Sequence, residues 1–218
     1  MIVGTIRQVH VGRIAPLGPD AVPSAFFKTQ VSAPVPVDTL GLEGDAQADL
    51  RVHGGPEKAV YAYATRHYEA WAADFPQHAA QFVPGGVGEN LPVDGMDERD
   101  ICVGDIHAIG SARLQACQPR QPCFKFALRF ENGRLPRAMV RNGRSGWYYR
   151  VLQPGVIAGG DKVVLEARPN PDFAFTRLVH IVNFGNATVA EVARLAEMEG
   201  LASHVRAQAQ AASREMGG

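Results

Sequence analysis

Hydrophobic positions recur with a period of two up to about residue 167 and with a period near four beyond it. The first pattern predicts half-buried strands, the second amphipathic helices. Strands are expected at 2–11, 25–31, 60–63, 91–93, 106–109, 112–116, 147–152 and 162–167, where β-branched and aromatic residues concentrate. Val35 to Val37, bracketed by Pro34 and Pro36, suits only an edge or bulged piece. The Gly and Pro content of 12–23 predicts a loop. Helices are expected at 65–73, carrying Tyr68 and Trp71, at 77–82 after Pro76, and at 124–130, with a helical turn at 136–140. Pro169-Asn170-Pro171-Asp172 breaks any strand or helix and marks a boundary. After it Phe175, Leu178, Val179 and Val182 share one helical face that ends near Gly185. Thr188 and Glu191 form a capping box, Gly200 a stop, and 202–215 a last helix. The pattern therefore predicts a mainly β domain over 1–168 and a small three-helix domain over 172–216. Three short helices bury little alone, so they must dock on the β domain or on a partner. Removing 169–218 is expected to leave the β domain folded.

Composition narrows the function classes. Hydrophobic residues make up 46% and charged residues 20%, enough for a real core. Lys plus Arg equals Asp plus Glu at 22 each, and aromatics are 8%, so neither a general nucleic-acid surface nor a membrane-attracting face is expected. The N-terminus has no basic segment followed by a long apolar run, and no stretch approaches ~20 apolar residues, so neither a signal peptide nor a membrane span is expected. Three cysteines, Cys102, Cys117 and Cys123, are too few for a disulfide framework. A cytoplasmic location is the default expectation.

The candidate chemistry centres on Cys117-Gln118-Pro119-Arg120-Gln121-Pro122-Cys123-Phe124-Lys125, a strand-to-helix junction held extended by its prolines. Pro122 suits the first helical position, which would put Cys123 in the first turn between Arg120 and Lys125. Cationic neighbours and free backbone donors favour a thiolate, so Cys123 is a candidate metal ligand or nucleophile; a small buried hydrophobe at a structural joint is the alternative. Upstream, His53-Gly54-Gly55 allows positive φ and close backbone approach, and Arg51, His53 and Lys58 are donors suited to an anion. Gly85-Gly86-Val87-Gly88 leads into Glu89 and Asn90 at a loop-to-strand step, where pocket-lining polar groups occur. Arg150 lies in a strand between apolar residues and, if it faces inward, needs an anion. Gly-Asp at 44–45, 104–105 and 160–161 reads as repeated turn chemistry.

Zinc fits poorly, because five residues separate Cys117 from Cys123 where close pairs are the rule. A Cys–His hydrolase needs a histidine that sequence does not position. An RNA-binding barrel needs a basic surface with stacking aromatics.

Taken in order, Gly41-Leu42-Glu43-Gly44-Asp45, Arg51-Val52-His53-Gly54-Gly55-Pro56, Gly88-Glu89-Asn90-Leu91, Gly104-Asp105 and Gln118-Pro119-Arg120-Gln121-Pro122-Cys123 resemble the MOSC family, in its branch with a small C-terminal α domain. The resemblance covers about 1–167. It implies a MOSC-type β-barrel that binds the molybdenum cofactor, a pterin dithiolene with a phosphate tail. It implies Cys123 as the molybdenum ligand, and reduction of N-hydroxylated small molecules, such as N-hydroxylated purine bases and amidoxime-like groups, to amines. Arg51, His53, Gly54, Gly55, Lys58, Glu89, Asn90, Arg120 and Arg150 are then candidates for holding the cofactor. Every cysteine lies at or before Cys123, so the α domain cannot hold a cysteine-ligated cluster, and electrons are expected from an external flavoprotein or ferredoxin-type reductase. The alternative is a non-catalytic carrier of cofactor or of a Cys123 persulfide. A homodimer is left open.

Overall fold

A computed structural model describes residues 1–50 and 53–217. In chain order the strands are β1 (Ile2–Ile6), β2 (Val9–Gly12), β3 (Ala15–Leu17), β4 (Val22–Ser24), β5 (Lys28–Val31), β6 (Val35–Asp38) and β7 (Gly41–Leu42). Next come β8 (Val60–Ala64), helix α1 (Arg66–Asp74), β9 (Leu91–Asp94), β10 (Ile106–Ile109) and β11 (Ala112–Pro119). Helices α2 (Phe124–Phe130) and α3 (Arg134–Asn142) precede β12 (Trp147–Gln153), β13 (Gly155–Ile157) and β14 (Lys162–Ala167); α4 (Phe175–Phe184), α5 (Val189–Glu197) and α6 (Ser203–Gly217) close the chain. Among the described residues, β1, β14, β10, β11, β12, β8 and β9 form a closed barrel, β9 pairing back onto β1. The fold is mainly β, as expected. Only the β8–β9 pair in the barrel is parallel, and its long crossover carries α1.

Side-chain alternation on β8 and β12 divides the apolar interior in two. Val60, Ala62, Trp147 and Tyr149 join the barrel core, while Tyr61, Tyr63 and the partly buried Tyr148 join an outer aromatic layer with Trp71, Phe82, Phe126 and Phe130. Helices α1, α2 and α3 cover that layer, so β8 is buried on both faces.

Several local expectations are corrected. The strand at 2–11 is two strands, β1 and β2. The loop at 12–23 contains the β3–β4 hairpin, in which Pro16 stands opposite Pro23. Neither proline has an N–H, and in antiparallel ladders alternate opposed pairs exchange no hydrogen bonds, so both are tolerated. β6 is not an edge but the middle of a three-stranded sheet, between β13 and β7. Opposite Pro36, the Val156 N–H and carbonyl both turn to Ser111, so this pair asks for no proline donor.

The C-terminal helices form as the sequence indicates. Thr188 and Glu191 make a reciprocal capping box, and Gly185 ends α4 with φ 65°. Phe175, Leu178, Leu201 and Ala202 are fully buried in the same apolar cluster as the barrel interior. Backbone bonds reinforce the seam: Ala202 N–H donates to the Cys117 carbonyl at 3.0 Å, and Asn170 Nδ2 donates to the carbonyls of Val103 and Glu199. The tail therefore shares the barrel's core, which argues against a β domain that stays folded without it.

Candidate active site

Cys123 caps α2 rather than entering its first turn; its backbone is extended (φ −110°, ψ 173°) and the helix begins at Phe124. Cys123 is half-buried, in a cleft lined by Phe26, Lys28, His53, Tyr61, Arg120, Lys125 and Tyr148 together with residues 46–48.

The His53 ring donates to the Cys123 sulfur, the Arg120 guanidinium lies close by, and the Lys125 backbone N–H adds a third favourable contact. Burial alone would raise the thiol pKa; these groups outweigh it and hold Cys123 down at about 7. The other two cysteines behave oppositely. Burial pushes Cys117 up to about 12, and its S–H donates to the Glu57 carbonyl. Burial also raises Cys102, which faces the Pro171 carbonyl. Only Cys123 is poised to ionise near neutrality.

Arg120 is the electrostatic centre. Its guanidinium sits over the rings of Tyr61, Phe26 and Phe126, at 4.8, 5.2 and 5.4 Å from their centroids, and donates to the Val87 carbonyl. Among the described residues no carboxylate pairs with it, so its charge is directed at the cleft. Lys125 is likewise satisfied by a carbonyl, that of Pro23, at 2.8 Å. Lys28 is different, for it forms a buried ion pair with Asp45.

Arg120, His53 and Cys123 come together in the cleft. Gly54 and Gly55 adjoin it, with φ of 88° and 81°; a Cβ at Gly55 would meet nothing, so the requirement there is conformational rather than steric. Glu89 and Asn90 do not line the cleft but build its walls. Glu89, fully buried, accepts from the Tyr68 hydroxyl and from the Gly85 and Val87 N–H groups, and so fixes the loop whose Val87 carbonyl receives Arg120. Burial raises its pKa. Asn90 accepts from Tyr61 N–H and donates to the His10 carbonyl and to Asp45, tying the Lys28 pair to β8. Arg150 and Lys58 also lie outside the lining residues. Arg150 bonds Glu57 at 2.7 Å and the Leu201 carbonyl, and Lys58 neighbours Cys117, Glu57 and His204. Arg51 lies outside the described residues.

Sequence reading missed Lys28, Asp45, Tyr61 and Tyr148. Asp105 and Asp161 accept from the Cys102 and Ala158 N–H groups as turn residues do, and the fully buried Asp105 also pairs with Arg168 at 2.8 Å. Asp45 does more: besides Lys28 and Asn90 it holds the Gly12 N–H.

The MOSC domain pattern matches residues 49–164. The chain belongs to the MOSC family. Protein YiiM of Escherichia coli is 40% identical over 161 residues, covering 74% of this chain and 71% of that protein. The crystal structure of YiiM from Geobacillus stearothermophilus superposes with a TM-score of 0.81 at 31% identity, over 96% of this chain and 99% of that one, so the C-terminal helices fall within the match. A Gibberella moniliformis protein named "Reductase" is 35% identical over 198 residues; this MOSC chain spans 89% of its own length but only 35% of that protein.

Proposed function

We propose that this MOSC protein binds the molybdenum cofactor through Cys123 and reduces N-hydroxylated small molecules to the amine and water, with electrons from a separate protein. The observation that carries the reading is the single depressed thiol, Cys123, in a cleft whose Arg120 and Lys125 are satisfied by carbonyls rather than carboxylates. The donor set fits the group. A soft thiolate suits molybdenum already bound by sulfur, and unneutralised cations suit a phosphate-bearing ligand. Family membership and the reductase-named relative support the same assignment.

When bound, the cofactor would supply two-electron, oxygen-accepting chemistry. The chain's own residues set the conditions for it. His53 hydrogen-bonds the Cys123 sulfur and favours the ionised thiol that ligation would need. Arg120 stays charged inside its aromatic box and stabilises negative charge on ligand or thiolate. Burial keeps Tyr61 and Tyr148 protonated, so their hydroxyls stay neutral.

The test is to purify the chain from a host that makes the cofactor, measure molybdenum, and assay reduction of a hydroxylaminopurine with dithionite. Stoichiometric metal with turnover is expected. Bound metal without turnover would favour a cofactor carrier, and absence of metal would refute the assignment.

A further inference from the structure

Helix α3 presents three arginines, Arg134, Arg137 and Arg141, on one exposed face at a spacing of three and four residues. Other arginines nearby are engaged: Arg66 and Arg99 pair with Asp97, and Arg144 pairs with Asp74. Among the described residues no carboxylate pairs with Arg134, Arg137 or Arg141. A chain with balanced charge thus concentrates unneutralised cations on a single helix, where they repel one another unless a partner supplies acid.

Two grooves flank this face. One, of about 580 Å³, joins Arg134, Arg137 and Arg141 to Pro122, the residue before Cys123. The other, of about 510 Å³, joins Arg141 and Val140 to Phe184 at the end of α4. Phe184 is 49% exposed, whereas Phe175, Leu178 and Val179 of the same helix are buried. The surface therefore has an apolar spot with Arg141 beside it and the paired Asp97 at its far wall, two more of these arginines along the helix, and one groove reaching the Cys123 junction. Protein interfaces are enriched in aromatics and Arg in this way, with charge setting orientation and approach.

We propose that this face docks an acidic electron-carrier protein, bringing its redox centre to the Cys123 end of α3. The inference rests on the reductase reading above. Reduction of an N-hydroxylated compound, R–NHOH, takes two electrons and two protons and breaks the N–O bond to give R–NH2 and water. The reduced carrier supplies the electrons and is oxidised; solvent supplies the protons. Charge complementarity selects an acidic protein, and Phe184 selects a contact with apolar surface, which neither a duplex backbone nor a headgroup layer offers in the same place.

The experiment uses the full cofactor-loaded chain and a strongly acidic flavodoxin as probe. Binding is titrated at low and high salt for wild type, for the triple reversal Arg134→Glu, Arg137→Glu and Arg141→Glu, and for the same three positions changed to Lys. All three side chains are exposed, so melting should match wild type. The reversal should weaken flavodoxin binding by at least about tenfold at low salt and flatten its salt dependence. The Lys variant should stay close to wild type. Dithionite-driven turnover should be equal in all three, while flavodoxin-driven turnover falls in the reversal alone. Equal flavodoxin affinity in wild type and reversal, or no binding by wild type at low salt, would overturn the proposal. So would tighter binding of a single-stranded oligonucleotide or an anionic vesicle through the same arginines. Arginine-dependent flavodoxin binding without dithionite turnover would instead sink the reductase reading and leave the docking face standing.

Discussion

Replacing His53 by Ala in the cofactor-free chain should move the Cys123 titration upward. The ordinary thiol value is 9.0 and the folded value about 7, so the site favours the thiolate despite burial, which acts the other way. That difference is worth on the order of 3 kcal/mol in favour of the thiolate. Among the opposing contributions the His53 hydrogen bond is the largest, ahead of the Arg120 charge. Losing it while burial persists should raise the pKa by about a unit or more, taking the thiolate at pH 7 from about half to about a tenth or less. The assay is thiolate ultraviolet absorbance against pH, checked by the pH dependence of alkylation. It is clean because Cys117 and Cys102 are pushed upward and stay silent near neutrality. His53→Gln, which keeps a donor, should recover part of the shift. An unchanged titration in His53→Ala would refute the role given to this ring.

Cys123→Ser should lose metal and turnover with little change in melting, whereas Cys102→Ser and Cys117→Ser keep turnover; full activity in Cys123→Ser would end the assignment. Lys58→Ala should leave cofactor retention intact, since Lys58 does not line the cleft, while Arg120→Ala should lower both retention and melting temperature because that buried cation is stacked on three rings. His107 predicts acid sensitivity. It is fully buried, Nδ1 meets the Tyr149 hydroxyl at 2.7 Å, and burial lowers its pKa to about 4. The unfolded chain therefore binds the extra proton between about pH 6.5 and 4, so stability is whole above that window and falls by about 3 kcal/mol as pH drops through it. His107→Phe melting curves should lose this component. Truncation at residue 168 should give insoluble or molten protein, because Phe175, Leu178 and Leu201 each bury about 1.5–3 kcal/mol of apolar contact with the barrel; a truncated chain that melts cooperatively would contradict this.

Local signals were legible and long-range ones were not. The bounds of α2, β10 and β14 follow from hydrophobic period and flanking Pro, Gly and Asp, which act within a few residues. The capping box of α5 is of the same kind. The β3–β4 hairpin was hidden because Pro16 and Pro23 look like strand breakers until they face each other in the ladder. In the site, Cys123 and Arg120 stood out by adjacency at one junction. That His53 reaches the sulfur, and that Lys28 pairs with Asp45, depends on the folding of distant loops onto β8 and β12. Glu89 and Asn90 were singled out as pocket residues; their loop-to-strand position was read correctly, but their polar groups are used up holding the walls. Arg150 did need an anion, and the chain itself supplies Glu57.

In the proposed function the Cys123 thiolate ligates molybdenum. X-ray absorption at the molybdenum edge, on wild type and Cys123→Ser loaded with cofactor, tests it most directly. One fewer sulfur neighbour is expected in a variant that retains metal, or loss of the metal altogether. The same sulfur count at full occupancy in both proteins would contradict it.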